Sequence, residues 1–203
     1  MMPEFQFMYP TPTEVLEQHP LHPHLNVFRP AYKQHAALIG ITGIPSGSVG
    51  TVLCEGQVVC YATLHPPDKY QRFGESTLEG FLELGAVESA PEYRSQRLAR
   101  RLLDVMVPPE SFQENILIAT LYHWHYDLEN TGLSTYAYRR LLEKLYSRVG
   151  FEVVKTDDPE IISYPGNALM VRIGSRIPED LRAEFERLRF LRQTRGLDFE
   201  ARL

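Results

Sequence analysis

Four arginines, Arg94, Arg97, Arg100 and Arg101, fall within eight positions of the stretch PEYRSQRLARRLL. That stretch joins a strand-like run to a helix-like run. At such a junction the first N–H groups of the helix lack partners and the helix dipole is positive, so a phosphate is stabilised there. Guanidinium groups add charge-assisted hydrogen bonds. The competing explanation is a solvated helix face, with the arginines paired to Asp104 and nearby glutamates. Just upstream, FLELGAVES sets Glu83 between two leucines. Strand alternation gives Leu82, Leu84 and Ala86 one face, the core, and gives Glu83, Gly85 and Val87 the other. A carboxylate at such a position is costly unless its face lines a cleft. Gly85 leaves room for a ligand or a bulge. Glu88 points away from Glu83 in an unbroken strand, and a bulge would reverse that. Both glutamates also have a structural reading, as ion-pair partners for arginines of the following helix.

The histidines offer less. His123 and His125 flank Trp124 at strand spacing, but two histidines without a placed third ligand are weak grounds for zinc. His19, His22 and His24 lie among prolines and are equally weak, so no metal is expected.

The elements that must position these residues follow from periodicity. Residues 1–27 are proline-rich and are expected to be irregular, mostly loop with at most a short edge element. A short helix is predicted over 31–41, then a hairpin, Val49 to Cys54 and Gln57 to His65, turning at Glu55-Gly56. Phe81 to Ser89 is predicted as a strand. A helix over Leu98 to Val107 turns Leu98, Leu102 and Val105 inward and stops at Pro108 and Pro109. Ile116 to Trp124 is apolar enough for a buried strand. Thr135 to Val149 is predicted as a helix with Tyr138, Leu142, Leu145 and Val149 inward and Gly150 at its end. Strands at Phe151 to Lys155 and Ala168 to Ile173 precede a last helix, 178–195, carrying Leu181, Phe185 and Leu188. The fold class is α/β, of the mixed α+β kind: a mostly antiparallel sheet flanked by helices. Residues 1–203 are expected to form one domain.

Composition narrows the function. The chain has 203 residues, 43% of them hydrophobic, enough for a full-sized core. A net charge of -5 argues against a nucleic-acid partner. No apolar run approaches a membrane span and the N-terminus does not look like a signal peptide, so no membrane association is expected. Two cysteines, Cys54 and Cys60, lack a C-x-x-C spacing, which fits a reducing, cytoplasmic setting.

A second motif joins the arginine turn. Tyr146-Ser147-Arg148-Val149-Gly150-Phe151 closes one helix and opens the next strand. A Y-x-x-x-G-F element after an R-x-x-(G)-x-A turn resembles the GNAT superfamily of N-acetyltransferases. Here the turn runs Arg94-Ser95-Gln96-Arg97-Leu98-Ala99, with Arg97 at the position of the family's glycine. Arg97 is expected to present its backbone N–H if its φ is negative. The segments FRPAYKQHAALIGITGIP, LELGAVESAPEYR, YHWHYDL and TDDPEIISYPGNALMVRIG are similar to the acetoin-utilisation acetyltransferase AcuA family, over roughly residues 28 to 190. The resemblance implies a GNAT fold, acetyl-CoA as donor, a protein lysine as acceptor, and acetyl-CoA synthetase as the protein partner. It implies that the turn binds the coenzyme A diphosphate, with a cofactor-binding set of Val87, Ser89, Arg94, Ser95, Gln96, Arg97, Leu98, Ala99 and Arg100. It also implies that Tyr146 protonates the departing thiolate; otherwise Tyr146 is a core tyrosine.

Acetyl transfer to lysine sets further demands. A lysine amine, with a reference pKa of about 10.4, is protonated at neutral pH and must lose a proton before it attacks a thioester. Glu83 is the expected base and Glu88 the second choice. Trp124, His125 and Asp127, near a strand's end, are expected on the acceptor side. Asp157, Asp158 and Glu160 form an acidic loop, either a landing point for a basic peptide or an ordinary solvated turn. Two other functions fit the same donor site: acetylation of a small amine, or non-catalytic sensing of acyl-CoA.

Overall fold

The computed structural model describes residues 3–191. It contains a seven-stranded sheet in the order β1-β2-β3-β4-β5-β7-β6, with β1 Gln6–Met8, β2 Ser48–Cys54, β3 Gln57–His65, β4 Phe81–Ser89, β5 Ile116–Leu121, β6 Glu152–Val154 and β7 Ala168–Ile173. The helices are α1 Thr13–Gln18, α2 Ala31–Thr42, α3 Leu98–Met106, α4 Leu128–Thr131, α5 Thr135–Ser147, α6 Pro159–Ile162 and α7 Glu179–Arg189. This is the expected mixed, mostly antiparallel sheet with flanking helices. The predicted N-terminal segment differs: β1 and α1 lie within residues 1–27. The strand there is the short edge element, pairing with β2 from Gln6↔Leu53 to Met8↔Thr51.

The chain resolves into two compact units. The first comprises residues 3–66, 83–111 and 127–132. Its hairpin β2–β3 carries β1 on one side and the main part of β4 on the other. Leu16, Leu21, Leu25, Leu38, Val49, Val58 and Tyr61 bury one another into a core. On α3 the buried residues are Leu98, Leu102, Leu103 and Met106, whereas Val105 is 48% exposed. The inward stripe was therefore misplaced at its C-terminal end: steps of four, one and three residues follow the 3.6-residue period from Leu98 to Met106, and Val105 falls outside that arc. Close packing of α3 depends on Gly50, where a Cβ would lie 2.3 Å from the Met106 sulfur.

The second unit comprises residues 67–82, 112–126 and 133–191. β7 is its central strand, antiparallel to both β5 and β6. Phe73, Phe81, Ile118, Val171, Leu181, Phe185 and Leu188 form its core. α7 begins after Pro178 with Glu179 and Asp180 in its first turn and ends with Arg187 and Arg189 in its last, charges matched to the helix dipole. The part of the predicted C-terminal helix at 192–195 lies outside the described residues. β5 stops at Leu121, and His123–His125 form a 3-10 turn instead of continuing the strand. On α5 the buried residue is Tyr146, while Tyr138, Leu142 and Leu145 are only half-buried.

Candidate functional site

β4 carries a bulge. Ala62 pairs with Val87, but Leu64 pairs with Leu84, so two steps on β3 span three on β4. The ladder shift lies around Gly85 and Ala86, and the Ala86 N–H donates to the Thr63 hydroxyl at 3.0 Å. The expected alternation is thereby corrected. Glu83 lies opposite His65 and Glu88 opposite Tyr61, and because 61 and 65 are an even number apart, the two glutamates share a face. The space left by Gly85 is filled by protein: a Cβ there would sit 2.6 Å from His65 Nε2 and 3.0 Å from Thr63 Oγ1. His65 and Thr63 were not singled out from the sequence, since only cross-strand register brings them to this spot.

Both carboxylates are buried. Glu83 is 6% exposed and Glu88 5%. Both oxygens of Glu88 are engaged, Oε2 accepting from the Tyr61 hydroxyl at 2.6 Å and Oε1 from the Val27 N–H at 2.9 Å. Burial raises the Glu88 carboxyl above its ordinary range, against the lowering effect of the bonds from Tyr61, Val27 and Asn26. The same burial, with the Glu88 charge adding to it, raises the Tyr61 phenol.

Beyond β4 a 3-10 helix, Pro91–Gln96, leads into α3 through Arg97. Arg97 has φ 56° and ψ 35°, the left-handed conformation. The condition of a negative φ therefore fails, and the backbone adopts the shape that a glycine would take. The Arg97 N–H is directed back to the Arg94 carbonyl at 3.2 Å. Among the described residues the first-turn N–H groups of Leu98, Ala99 and Arg100 make no backbone hydrogen bond back to the turn. Ser95, Gln96 and Arg97 are exposed, and the side chains of Arg97 and Arg100 make no hydrogen bond or ion pair among the described residues. The other arginines are committed. Arg94 is ion-paired with the buried Asp127 and donates through Nε to the Ser89 carbonyl at 3.4 Å. The Arg101 guanidinium lies 4.2 Å from the centre of the Phe7 ring. Ser89 donates its hydroxyl to the Cys60 sulfur at 3.1 Å, and burial pushes that thiol up to about 12.

Asp127 is 6% exposed. Its carboxylate accepts from Asn130 Nδ2 at 2.9 Å, caps α4 and holds Arg94, all within the first unit. Trp124 and His125 belong to the second unit. Trp124 is 53% exposed and stacks on Tyr122 with ring centres 4.5 Å apart. Of the acidic loop, Asp157 and Asp158 are both paired with Arg72, and Asp158 also caps α6. Glu160 accepts from the Tyr122 hydroxyl at 3.1 Å. Tyr146 packs against Phe151, 6.0 Å between ring centres, and its hydroxyl makes no hydrogen bond among the described residues. It is the most buried residue of α5, and burial raises its pKa, so the phenol is protonated at neutral pH.

Open N–H groups and unpaired guanidinium groups at one helix start are what a diphosphate requires, so these residues fit the coenzyme A of acetyl-CoA. No family model matches the chain. An acetoin utilization protein, AcuA, of Bacillus licheniformis is 38% identical over 181 residues, covering 89% of this chain and 86% of that protein. The crystal structure of an acetoin utilization protein from Exiguobacterium sibiricum matches with a TM-score of 0.88 and 32% identity, over 97% of this chain and 99% of that one. A proposed acetyltransferase from Acinetobacter baylyi shares the fold, with a TM-score of 0.50 and 14% identity over 85% of this chain and 93% of that one. No helix among the described residues is long and apolar enough to cross a membrane.

Proposed function

The chain belongs to the AcuA family of acetoin utilization proteins, an N-acetyltransferase of GNAT fold, and we propose that it moves the acetyl group of acetyl-CoA onto a lysine of a partner protein. The observation that carries this reading is the left-handed Arg97, which turns the chain into α3 with its first N–H groups open. Leu98, Ala99 and Arg100 would bind the diphosphate through the backbone, and Arg97 and Arg100 through their guanidinium groups. Arg94 acts indirectly, by fixing the turn to Asp127. Val87 and Ser89 lie at the end of β4 and would flank the acyl arm of the cofactor.

Acetyl-CoA supplies an activated thioester. The lysine ammonium must first lose a proton, and we assign that step to Glu83, directly or through water, with Glu88 on the same face of β4 as the second choice. The amine then forms its bond to the acetyl carbon as the carbon–sulfur bond breaks, and the leaving thiolate takes the Tyr146 proton. Trp124 and His125 would contact the acceptor. The partner is proposed to be acetyl-CoA synthetase, in keeping with the acetoin-utilization family, and two buried cysteines outside any disulfide support a cytoplasmic setting.

The test is incubation with labelled acetyl-CoA and purified acetyl-CoA synthetase. Label should appear on a lysine of the synthetase, and label found only on diffusible amines would reject the protein acceptor. Glu83→Gln should lower turnover roughly 10²-fold with acetyl-CoA binding intact, the scale of a lost general base. Tyr146→Phe should fold normally and turn over more slowly. Unchanged rates in either variant would remove that residue from the mechanism.

A further inference from the structure

The histidines of the N-terminal segment take no part in acetyl transfer, yet two of them converge with a glutamate from the 3-10 helix. The nearest ligand atoms of His22, His24 and Glu92 all lie within 4.8 Å of one another. His24 Nδ1 contacts Glu92 Oε1, joining residues 68 positions apart. The rings of His22 and His24 are 5.3 Å apart, and that of His22 stands edge-on to Tyr93 at 5.9 Å.

A simple surface ion pair accounts for His24 and Glu92. The second imidazole lies beside them, its Nδ1 accepting the His24 backbone N–H at 3.4 Å, on a backbone that is itself well held. His22 donates its N–H to the Val58 carbonyl at 2.9 Å, Val58 donates to Pro20 at 2.9 Å, and Leu25 donates back to His22 at 2.9 Å. Leu21 bridges to Val58, and Leu21 and Leu25 are both buried. Pro20 and Pro23 fix φ on either side of His22. On the other side, Glu92 stands in the first turn of the helix opened by Pro91. His24 and Glu92 are exposed, so an ion can enter from solvent.

We propose that His22, His24 and Glu92 form a divalent-metal site of the zinc class, tying the N-terminal segment to the 3-10 helix that leads into the arginine turn. Two imidazoles and one carboxylate are a borderline ligand set suited to Zn2+, Co2+ or Ni2+, with water completing the coordination. The ion takes the place of the direct contact between His24 Nδ1 and Glu92 Oε1. Because Glu92 precedes Arg94 by two positions and Arg97 by five, an occupied site would hold the helix from which the diphosphate turn springs.

The test is calorimetric titration of the untagged, chelator-stripped full chain with Zn2+, alongside the visible spectrum of the Co2+ form. One equivalent should bind, and melting temperature should rise with Zn2+ concentration. His22→Ala/His24→Ala should weaken binding at least about 100-fold, since metal affinity rests on the ligand count. Glu92→Gln, which leaves both histidines and the fold in place, should weaken it about tenfold or more, again through a lost ligand. His123→Ala/His125→Ala should bind as the parent does. The site is rejected if the parent shows no saturable binding tighter than about 100 µM. It is equally rejected if the His123/His125 variant loses the ion while the His22/His24 variant keeps it.

Discussion

Arg97 combines two properties that a sequence cannot display together, a left-handed backbone and an unpaired cationic side chain. A non-glycine residue in that conformation costs about 1 kcal/mol or more. Arg97→Gly should therefore raise stability by up to about 1 kcal/mol, because glycine takes φ 56° without a steric penalty. It should nevertheless weaken acetyl-CoA binding, since the guanidinium is lost. Arg97→Glu should raise the apparent constant for acetyl-CoA at least about tenfold by placing like charge beside a phosphate. Steady-state kinetics at low salt and denaturant melts separate the two effects; an unchanged constant in Arg97→Glu would take this side chain off the diphosphate. The arginine run itself was plain in the sequence, but its division of labour was not. Asp127 lies 33 positions from Arg94, and Phe7 comes to Arg101 from the other end of the unit. Only folding decides which cations are spent on the protein and which remain for a ligand.

Element boundaries were more legible than faces. β4 and β7 run over the predicted residues, because each is a compact apolar run edged by turn-formers. The bulge in β4 was not legible, since it is a property of two strands: the sequence of one shows Gly85 but not the Thr63 hydroxyl or the His65 ring that occupy its place. The inward stripes of α3 and α5 hold only in part, with Leu98, Leu102 and Val149 buried but Val105 exposed and Tyr138, Leu142 and Leu145 half-buried, as the packing partner selects which arc of an amphipathic helix is buried. Gly85→Ala tests the bulge. His65 is held at Nδ1 by the Pro66 carbonyl at 2.9 Å, so a methyl 2.6 Å from its Nε2 must displace ring or strand. Overpacking of this kind costs about 1–3 kcal/mol. The expected result is a lower melting temperature and reduced turnover, because Glu83 is carried two positions away on the same strand. Parent-like stability and turnover in Gly85→Ala would mean that the bulge has no such tight fit.

At the scale of the whole chain, stability against pH should bear the mark of Glu88. Its carboxyl is raised in the fold, chiefly by burial, from an ordinary value of 4.5. The folded state therefore holds this proton more tightly than the unfolded chain does. The resulting contribution is fully present below pH 4.5 and is lost as pH rises through the folded value, where the buried carboxylate must ionise. Glu92 and Glu184, both lowered in the fold, act in the opposite sense, adding stability above their ordinary range that is lost on acidification. The net profile of the parent mixes these trends, so the informative quantity is the difference from Glu88→Gln. Glutamine can still accept one of the two bonds from Tyr61 and Val27 but cannot ionise, so it loses a bond at every pH and the pH-dependent part alone disappears. The parent should lead the variant most at pH 4.5 and below, and that lead should shrink steadily toward neutral pH in urea melts. A lead that stays constant across the range would mean that Glu88 titrates alike in both states, and that the bonds from Tyr61 and Val27 fully offset its burial.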